Sequence, residues 1–103
     1  MSLTLERRDD QGSTRVIVSG EVDVSNADSL RDGLEAALAA GPTELTVDLA
    51  ETSYIDSTGI GVLVGAAHRA EEQHTAFAVT SPQRNVARVL TLLGVGEKLG
   101  LRP

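Results

Sequence analysis

The chain has 103 residues, of which 9 are Lys or Arg and 15 are Asp or Glu, and 41% of the residues are hydrophobic. This composition predicts one soluble domain with an aliphatic core, because only Tyr54 and Phe77 are aromatic. The formal net charge of −6 opposes contact with a phosphate backbone, and so few aromatic rings offer little for bases to stack on. We therefore expect no direct binding to nucleic acid.

The chain contains no cysteine, which excludes disulfides and thiolate metal sites. Its N-terminus lacks the uninterrupted apolar run of an export signal. The most apolar stretch, residues 60–67, is far shorter than the roughly 20 residues that cross a bilayer. We expect a cytoplasmic protein with no membrane insertion.

The chain begins with the pattern of a β-hairpin. Residues 3–5 alternate between apolar and polar, and residues 15–19 carry a second apolar stretch. Residues 9–13, which lie between these stretches, are turn formers. Two antiparallel strands are therefore expected at the start of the domain.

A helical pattern follows from Ser25 onward. Apolar residues recur there at intervals of three and four, as one buried helix face requires. Ser25 and Asp28 resemble a capping box, which predicts the start of the helix. Gly41 and Pro42 predict its end.

The middle of the chain predicts a strand followed by a second helix. Residues 45–49 alternate between apolar and polar, as in a strand with one buried face. After a short irregular stretch, Asp56, Ser57 and Thr58 offer N-cap side chains to a helix that runs to about Gln73. The first half of this helix is apolar nearly all round and should be buried, whereas its second half should reach solvent.

The last third of the chain predicts one more strand and one more helix. Residues 75–80 form the strand, and Ser81 as N-cap with Pro82 at the first helical position predicts the helix start. The helix should end near Gly94, and its buried residues should be Val86, Val89, Leu90 and Leu93. Residues 95–103 alternate enough for at most a short edge strand.

The element order is therefore β-β-α-β-α-β-α, which predicts an α/β domain spanning residues 1–103. Strands that alternate with helices imply parallel neighbours joined by right-handed crossovers. Since the opening hairpin is antiparallel, we expect a mixed, mostly parallel sheet with helices packed against it.

The sequence patterns of common enzymes fail on spacing. The glycine-rich segment 59–65 follows a strand and opens a helix, but Val64 stands where a dinucleotide fingerprint needs its third glycine. Ser57 is not in a nucleophile elbow, and His68 lies roughly 16 Å farther along the helix. His68 and His74 are better explained as surface residues. We expect no enzymatic activity, no metal site and no cofactor.

Ser57 and Thr58 stand where a loop enters the N-terminus of a buried helix. Backbone N–H groups there lack intrahelical partners, and the helix dipole adds partial positive charge. One interpretation is that a hydroxyl simply caps the helix. The other is a phosphorylation switch, because a helix start tolerates the roughly −1.5 to −2 charge of a phosphate.

Three segments of the chain together resemble one known family. They are residues 20–23 (Gly-Glu-Val-Asp), the strand at residues 45–49, and residues 54–63 (Tyr-Ile-Asp-Ser-Thr-Gly-Ile-Gly-Val-Leu). The last segment is the most specific of the three. In this order, and over nearly the whole chain, they resemble the STAS domain of bacterial anti-sigma factor antagonists.

The resemblance implies a regulatory binding protein rather than an enzyme. In that family the serine directly after the aspartate is phosphorylated by an anti-sigma factor that is itself a serine kinase, and the matching residue here is Ser57. The unphosphorylated protein would bind this kinase and free a sigma factor. Phosphorylation would end the binding, and a serine phosphatase would restore it. The implied partner-binding residues are Asp23, Asp56, Ser57, Thr58 and Gly59.

Alternatives remain open at this point. Glu21 and Asp23 also fit ordinary solvated turn acids, and Thr58 is a second candidate acceptor. The protein could instead be a scaffold or sensor module of a larger signalling complex or beside a membrane transporter. A small hydrolase or nucleotide-binding enzyme is a third, disfavoured class.

The end of the chain departs from the resemblance. Members of that family commonly continue beyond the third long helix with another strand and helix, whereas this sequence stops at Pro103. We expect this difference to affect stability or oligomeric contacts and to leave the segment around Ser57 intact. The protein is expected to be a monomer or a weak dimer.

Overall fold

The computed structural model describes residues 2–103 and has the predicted order of elements. The strands are β1 (Leu3–Asp10), β2 (Ser13–Val22), β3 (Glu44–Ile55) and β4 (Ala76–Thr80). The helices are α1 (Ala27–Ala39), α2 (Ser57–Glu72) and α3 (Arg84–Leu92). The predicted α/β class and the order β-β-α-β-α-β-α are confirmed.

The four strands form one mixed sheet in the order β1-β2-β3-β4. β1 is antiparallel to β2, whereas β2–β3 and β3–β4 are parallel. The hairpin closes over Gln11 and Gly12, both of which have positive φ, as a two-residue hairpin turn requires. Because β2, β3 and β4 run the same way, their carboxyl ends lie at one edge of the sheet.

The core is aliphatic, as the composition predicts. α1 and α2 pack against each other and against the sheet, while α3 packs against β3. The largest fully buried side chains are Leu30, Leu34, Leu45, Leu49, Leu63, Leu90 and Leu99, with several valines. Phe77 is only half-buried and Tyr54 is exposed, so neither aromatic ring is central to the core.

β3 is longer than the alternation of residues 45–49 predicts, because two irregularities interrupt its pairing with β2. The register shifts once between Ile17 and Ser19 and again between Gly20 and Glu21, and each shift adds a residue to β3. Such bulges break the period of two, so the pattern reads as irregular although the strand continues to Ile55. The expected irregular stretch is therefore part of the strand.

The predicted capping box at the start of α1 is wrong. α1 begins after Asn26, and no side chain of that N-cap bonds to the helix. Ser25 instead donates its N–H and its hydroxyl to the Asp23 carboxylate, which holds Ser25 outside the helix. The end of α1 agrees with prediction, since Gly41 has a positive φ and donates its N–H to Leu38.

The predicted start of α3 is also wrong, by two residues. Ser81 has a φ of 57°, and its N–H donates to the Arg102 carbonyl, so pairing with the tail holds it out of the helix. The N-cap is Gln83. At the other end of α3, Leu93 follows the buried periodicity but is 54% exposed, because it is the C-cap residue and Gly94 turns the chain away.

The C-terminal tail runs beside β4. The Val79 N–H donates to the Leu99 carbonyl at 3.0 Å, and the Arg102 N–H donates to the Val79 carbonyl at 2.9 Å. Only Thr80 and Arg102 form a bridge, which agrees with the prediction of at most a short edge strand. No helix within residues 2–103 has the length and apolar character needed to span a membrane.

Candidate functional site

The candidate site lies at the carboxyl edge of the parallel strands, where β2 and β3 end beside each other. Val22 is paired with Ile55, and the Asp56 N–H donates to the Val22 carbonyl at 3.1 Å. This bond joins the loop that contains Asp23 to the start of α2. The structure thus brings Asp23 next to the segment of Asp56, although 33 positions separate them in the sequence.

Asp56 is the N-cap of α2. Its backbone is extended (φ −95°, ψ 179°), and its Oδ1 accepts the Gly59 N–H at 3.0 Å. Its carbonyl also accepts the Ile60 N–H, which begins the helical ladder. Of the side chains that the sequence offered as caps, Asp56 therefore performs this role, and the hydroxyls of Ser57 and Thr58 do not.

Replacing Asp56 with Ala is expected to destabilise the domain by about 0.5–2 kcal/mol, because the Gly59 N–H loses its acceptor. Urea unfolding followed by circular dichroism measures the change. Asp56→Asn retains an acceptor oxygen and serves as the matched control, with a much smaller loss expected. Equal losses in the two variants would contradict the capping role.

Ser57 and Thr58 are the first two residues of α2, and both are exposed. Neither hydroxyl forms a hydrogen bond to any residue in the range 2–103. Their backbone N–H groups belong to the first helical turn, where partial positive charge accumulates. A phosphate on either hydroxyl would meet favourable electrostatics from the helix without displacing an existing contact.

Gly59 differs from Ser57 and Thr58 because it is buried. A Cβ at this position would lie 2.6 Å from Val22 Cγ1 and 2.8 Å from Ile55 Cγ1. The absence of a side chain lets the first turn of α2 approach the ends of β2 and β3. Gly59 therefore offers no side chain to a partner, and the partner contact that the motif implies for it stays a prediction.

The loop after β2 is held by its own polar groups. The Asp23 N–H donates to Asn26 Oδ1, and Asn26 Nδ2 donates to the Glu21 carbonyl, each at 2.9 Å. Asp23 Oδ1 accepts both the hydroxyl and the N–H of Ser25. These bonds show that Asp23 holds the loop in shape. Asp23 and Glu21 are also half-buried, so neither is a fully solvated turn acid.

The hydrogen bond from the Ser25 hydroxyl is the main cause that lowers the pKa of Asp23 below its ordinary value. Since the pKa is lower in the folded state, the ionised form is favoured by folding. This contribution to stability is present above about pH 4 and is lost as the pH falls through the folded-state pKa. Asp23 therefore carries a full negative charge near Ser57 at neutral pH.

Two exposed apolar side chains lie at the same edge of the sheet, and neither was among the predicted site residues. Val24, in the loop after β2, is 76% exposed, and Tyr54, near the end of β3, is 46% exposed. An apolar residue among polar turn residues was the available signal for Val24. Asp23 and Ser57 lie at the same edge of the sheet, so this edge presents both apolar and acidic groups to solvent, which suits contact with another protein.

The histidines lie away from this edge. His68 and His74 are exposed, and His68 Nε2 is 3.7 Å from Glu72 Oε2 within α2. Both agree with the prediction of surface residues. In the part of the chain that the structure describes, no three His, Asp or Glu side chains are grouped in a way that could hold a metal ion.

A mixed four-stranded sheet, with a serine at the first turn of the helix that follows β3, defines a STAS-type α/β domain. The family model described as "Mlab, STAS domain" matches residues 5–103. The chain belongs to the STAS-domain family.

Several proteins similar to this chain are anti-sigma factor antagonists. An anti-sigma-B factor antagonist from Staphylococcus epidermidis is 33% identical over 100 residues, which cover 97% of this chain and 81% of the relative. The crystal structure of an anti-sigma factor antagonist from Mycobacterium paratuberculosis has a TM-score of 0.91 and 28% identity, over 99% of this chain and 86% of that one.

The fold is also similar to that of the anti-sigma factor antagonist SpoIIAA from Bacillus. Its unphosphorylated form has a TM-score of 0.80 and 20% identity, over 99% of this chain and 88% of that one. Its phosphorylated form has a TM-score of 0.74 and 19% identity, over 99% and 91%. At this level of identity the likeness shows the fold alone.

Proposed function

We propose that this protein is an anti-sigma factor antagonist that is switched by phosphorylation of Ser57. In its unphosphorylated form it binds an anti-sigma factor that is a serine kinase, and the sigma factor is released. Phosphorylation ends the binding, and a serine phosphatase restores it. These partners place the protein in the cytoplasm, where transcription takes place.

The observation that carries this proposal is the exposed Ser57 hydroxyl, which has no hydrogen-bond partner within residues 2–103 and lies at the start of α2. A kinase can reach this hydroxyl without unfolding the helix, and the helix N-terminus favours the resulting phosphate. The relatives named as anti-sigma factor antagonists support the partner class. SpoIIAA, which shares the fold, has an unphosphorylated and a phosphorylated form, so a domain of this fold can carry a phosphate.

The charges around Ser57 explain how a phosphate would act on a partner rather than on the fold. Asp23 and Asp56 already make this edge acidic, and Val24 and Tyr54 provide apolar area beside them. A phosphate adds roughly −1.5 to −2 charge, which would have to be desolvated when a partner covers the surface. Ser57 is exposed, so a phosphate on its hydroxyl would lie outside the core.

We further propose that the domain is a binding protein and has no phosphotransfer or hydrolytic activity of its own. The kinase supplies the general base and the ATP site, because no side chain within residues 2–103 forms a hydrogen bond with the Ser57 hydroxyl through which it could take the proton. No cofactor is required for the proposed switch.

The test is incubation of the protein with its cognate kinase and ATP, followed by peptide mapping. We expect one phosphate, on Ser57, and none when the kinase is left out. Ser57→Ala should abolish the modification, whereas Thr58→Ala, at the next and equally exposed hydroxyl, should retain it. Phosphate on Thr58 alone, or on a distant serine, would contradict the assignment, and the lack of any anti-sigma partner would favour a scaffold role.

A further inference from the structure

Helix α3 carries an exposed stripe that the proposed switch does not use. Val86 and Leu90 are buried and attach the helix to the domain. Arg84, Arg88 and Leu92 are spaced by four residues, lie on the opposite side, and are all exposed. Leu92 is 77% exposed, more than any other large hydrophobic residue within residues 2–103. These three residues are called the α3 stripe.

The positive charge of this stripe is unusual in an acidic protein. Residues 81–103 contain four basic residues and one acidic residue, whereas residues 1–80 contain five basic and fourteen acidic residues. All five basic residues of the first part are in ion pairs: Arg7, Arg8, Arg15, Arg31 and Arg69. Within the described chain, Arg84 and Arg88 have no carboxylate within 4.0 Å.

The α3 stripe begins next to the edge of the sheet that holds Ser57. Asn85 Nδ2 donates to the Ser53 carbonyl at 2.9 Å, and Gln83 Nε2 donates to the Ala50 carbonyl at 3.0 Å. These bonds fix the first turn of α3 to the final part of β3, which leads directly into Asp56. Because Ser53 is next to Tyr54 in the chain, a protein that covers Tyr54 would lie close to the start of α3.

We propose that the α3 stripe is a second docking contact, which binds an acidic surface with an apolar patch on the anti-sigma factor. This inference rests on the proposed function, since it assigns chemistry to that partner. Unpaired guanidinium groups favour carboxylates, which they bind in a bidentate geometry. Leu92 offers apolar contact at the end of the same stripe. The acidic edge at Ser57 and the basic α3 stripe would together fix the orientation of the partner.

A protein surface fits the α3 stripe better than other anionic ligands do. The net charge of −6 repels both a nucleic acid and an anionic membrane at long range. α3 has nine residues, and one face is already used by the core, which leaves little area for insertion into lipid. A second copy of this chain, which is acidic over residues 1–80, is the competing occupant.

The test compares Arg88→Glu with Arg8→Glu in binding to the anti-sigma factor by calorimetric titration at two salt concentrations. Both side chains are exposed and both changes alter the charge by the same amount, but Arg8 lies at the hairpin end of the sheet. We expect Arg88→Glu to weaken binding about fivefold and to reduce its salt dependence, and Arg8→Glu to stay within about twofold. Leu92→Gln should weaken binding without changing the salt dependence.

The outcomes separate this inference from the proposed function. If the wild-type protein does not bind the anti-sigma factor, the proposed function fails. If the wild type binds and the two arginine variants bind equally well, the α3 stripe is not a contact. If sedimentation shows that the wild type self-associates and that Arg88→Glu is monomeric with unchanged partner affinity, a second copy occupies the stripe and the proposal is overturned.

Discussion

Ser57→Asp is expected to weaken binding to the anti-sigma factor by at least about tenfold, or about 1.4 kcal/mol. The new carboxylate adds charge to an edge that already holds Asp23 and Asp56, and it must be desolvated when the partner covers Ser57. The melting temperature should change little or rise slightly, because an acid in the first turn of α2 interacts favourably with the helix dipole. Calorimetric titration and thermal melts measure the two effects separately.

Ser57→Asn is the matched control, because it has nearly the size of aspartate and no charge. We expect it to keep most of the affinity, and Ser57→Ala to keep the affinity while losing regulation. Since Asp56 caps α2, Ser57→Ala should cost little stability. Equal losses in Ser57→Asp and Ser57→Asn would indicate a steric effect instead of a charge effect, and a collapsed melt would point to refolding.

The elements that were predicted correctly have strong local signals. The alternation of residues 45–49 and the three- and four-residue spacing in α1 reflect faces that are buried against one layer. The start of α2 was also predicted correctly, because aspartate, serine and threonine before an apolar run are a strong N-cap signal. The pattern did not show which of the three side chains caps the helix, because that depends on the backbone direction between the end of β3 and the start of α2.

The elements that were predicted wrongly depend on distant residues. β3 continues past Leu49 because it accommodates two extra residues as bulges opposite β2, and this pairing depends on residues of β2 that are distant in the sequence. Ser81 is kept out of α3 by the tail residue Arg102, which lies 21 positions later. Ser25 is drawn to Asp23 rather than to the helix. In each case a tertiary or loop contact overrides a reasonable local preference.

The candidate site likewise has some features that follow from local sequence and others that depend on distant residues. Ser57 follows from the motif and from its position at a helix start, and the structure finds it exposed there. The exposure of Val24 and Tyr54 could not be predicted, because it depends on which elements fail to cover the carboxyl edge of the sheet. The burial of Gly59 depends on the side chains of Val22 and Ile55, which the topology brings to the first turn of α2.

Gly59→Ala is expected to destabilise the domain by about 1–3 kcal/mol, because the added methyl group overpacks the junction of β2, β3 and α2. It would lie 2.6 Å from Val22 Cγ1 and 2.8 Å from Ile55 Cγ1. Both neighbours are β-branched and stiff at χ1, so they cannot move aside freely. The first turn of α2 must then shift away from the sheet, which also displaces Ser57.

Gly61→Ala is the matched control, since it makes the same chemical change two residues later in α2. A Cβ at Gly61 meets no atom within 4 Å, so only the gain in helix propensity remains, about 0.5–1 kcal/mol in favour of the folded state. The two variants have the same effect on the unfolded chain, and their difference in free energy of unfolding isolates the contact with Val22 and Ile55. Opposite signs in urea unfolding are expected. Stabilisation by both variants would show that the junction has room for a side chain. The first turn of α2 would then not need a glycine at position 59 in order to pack against β2 and β3.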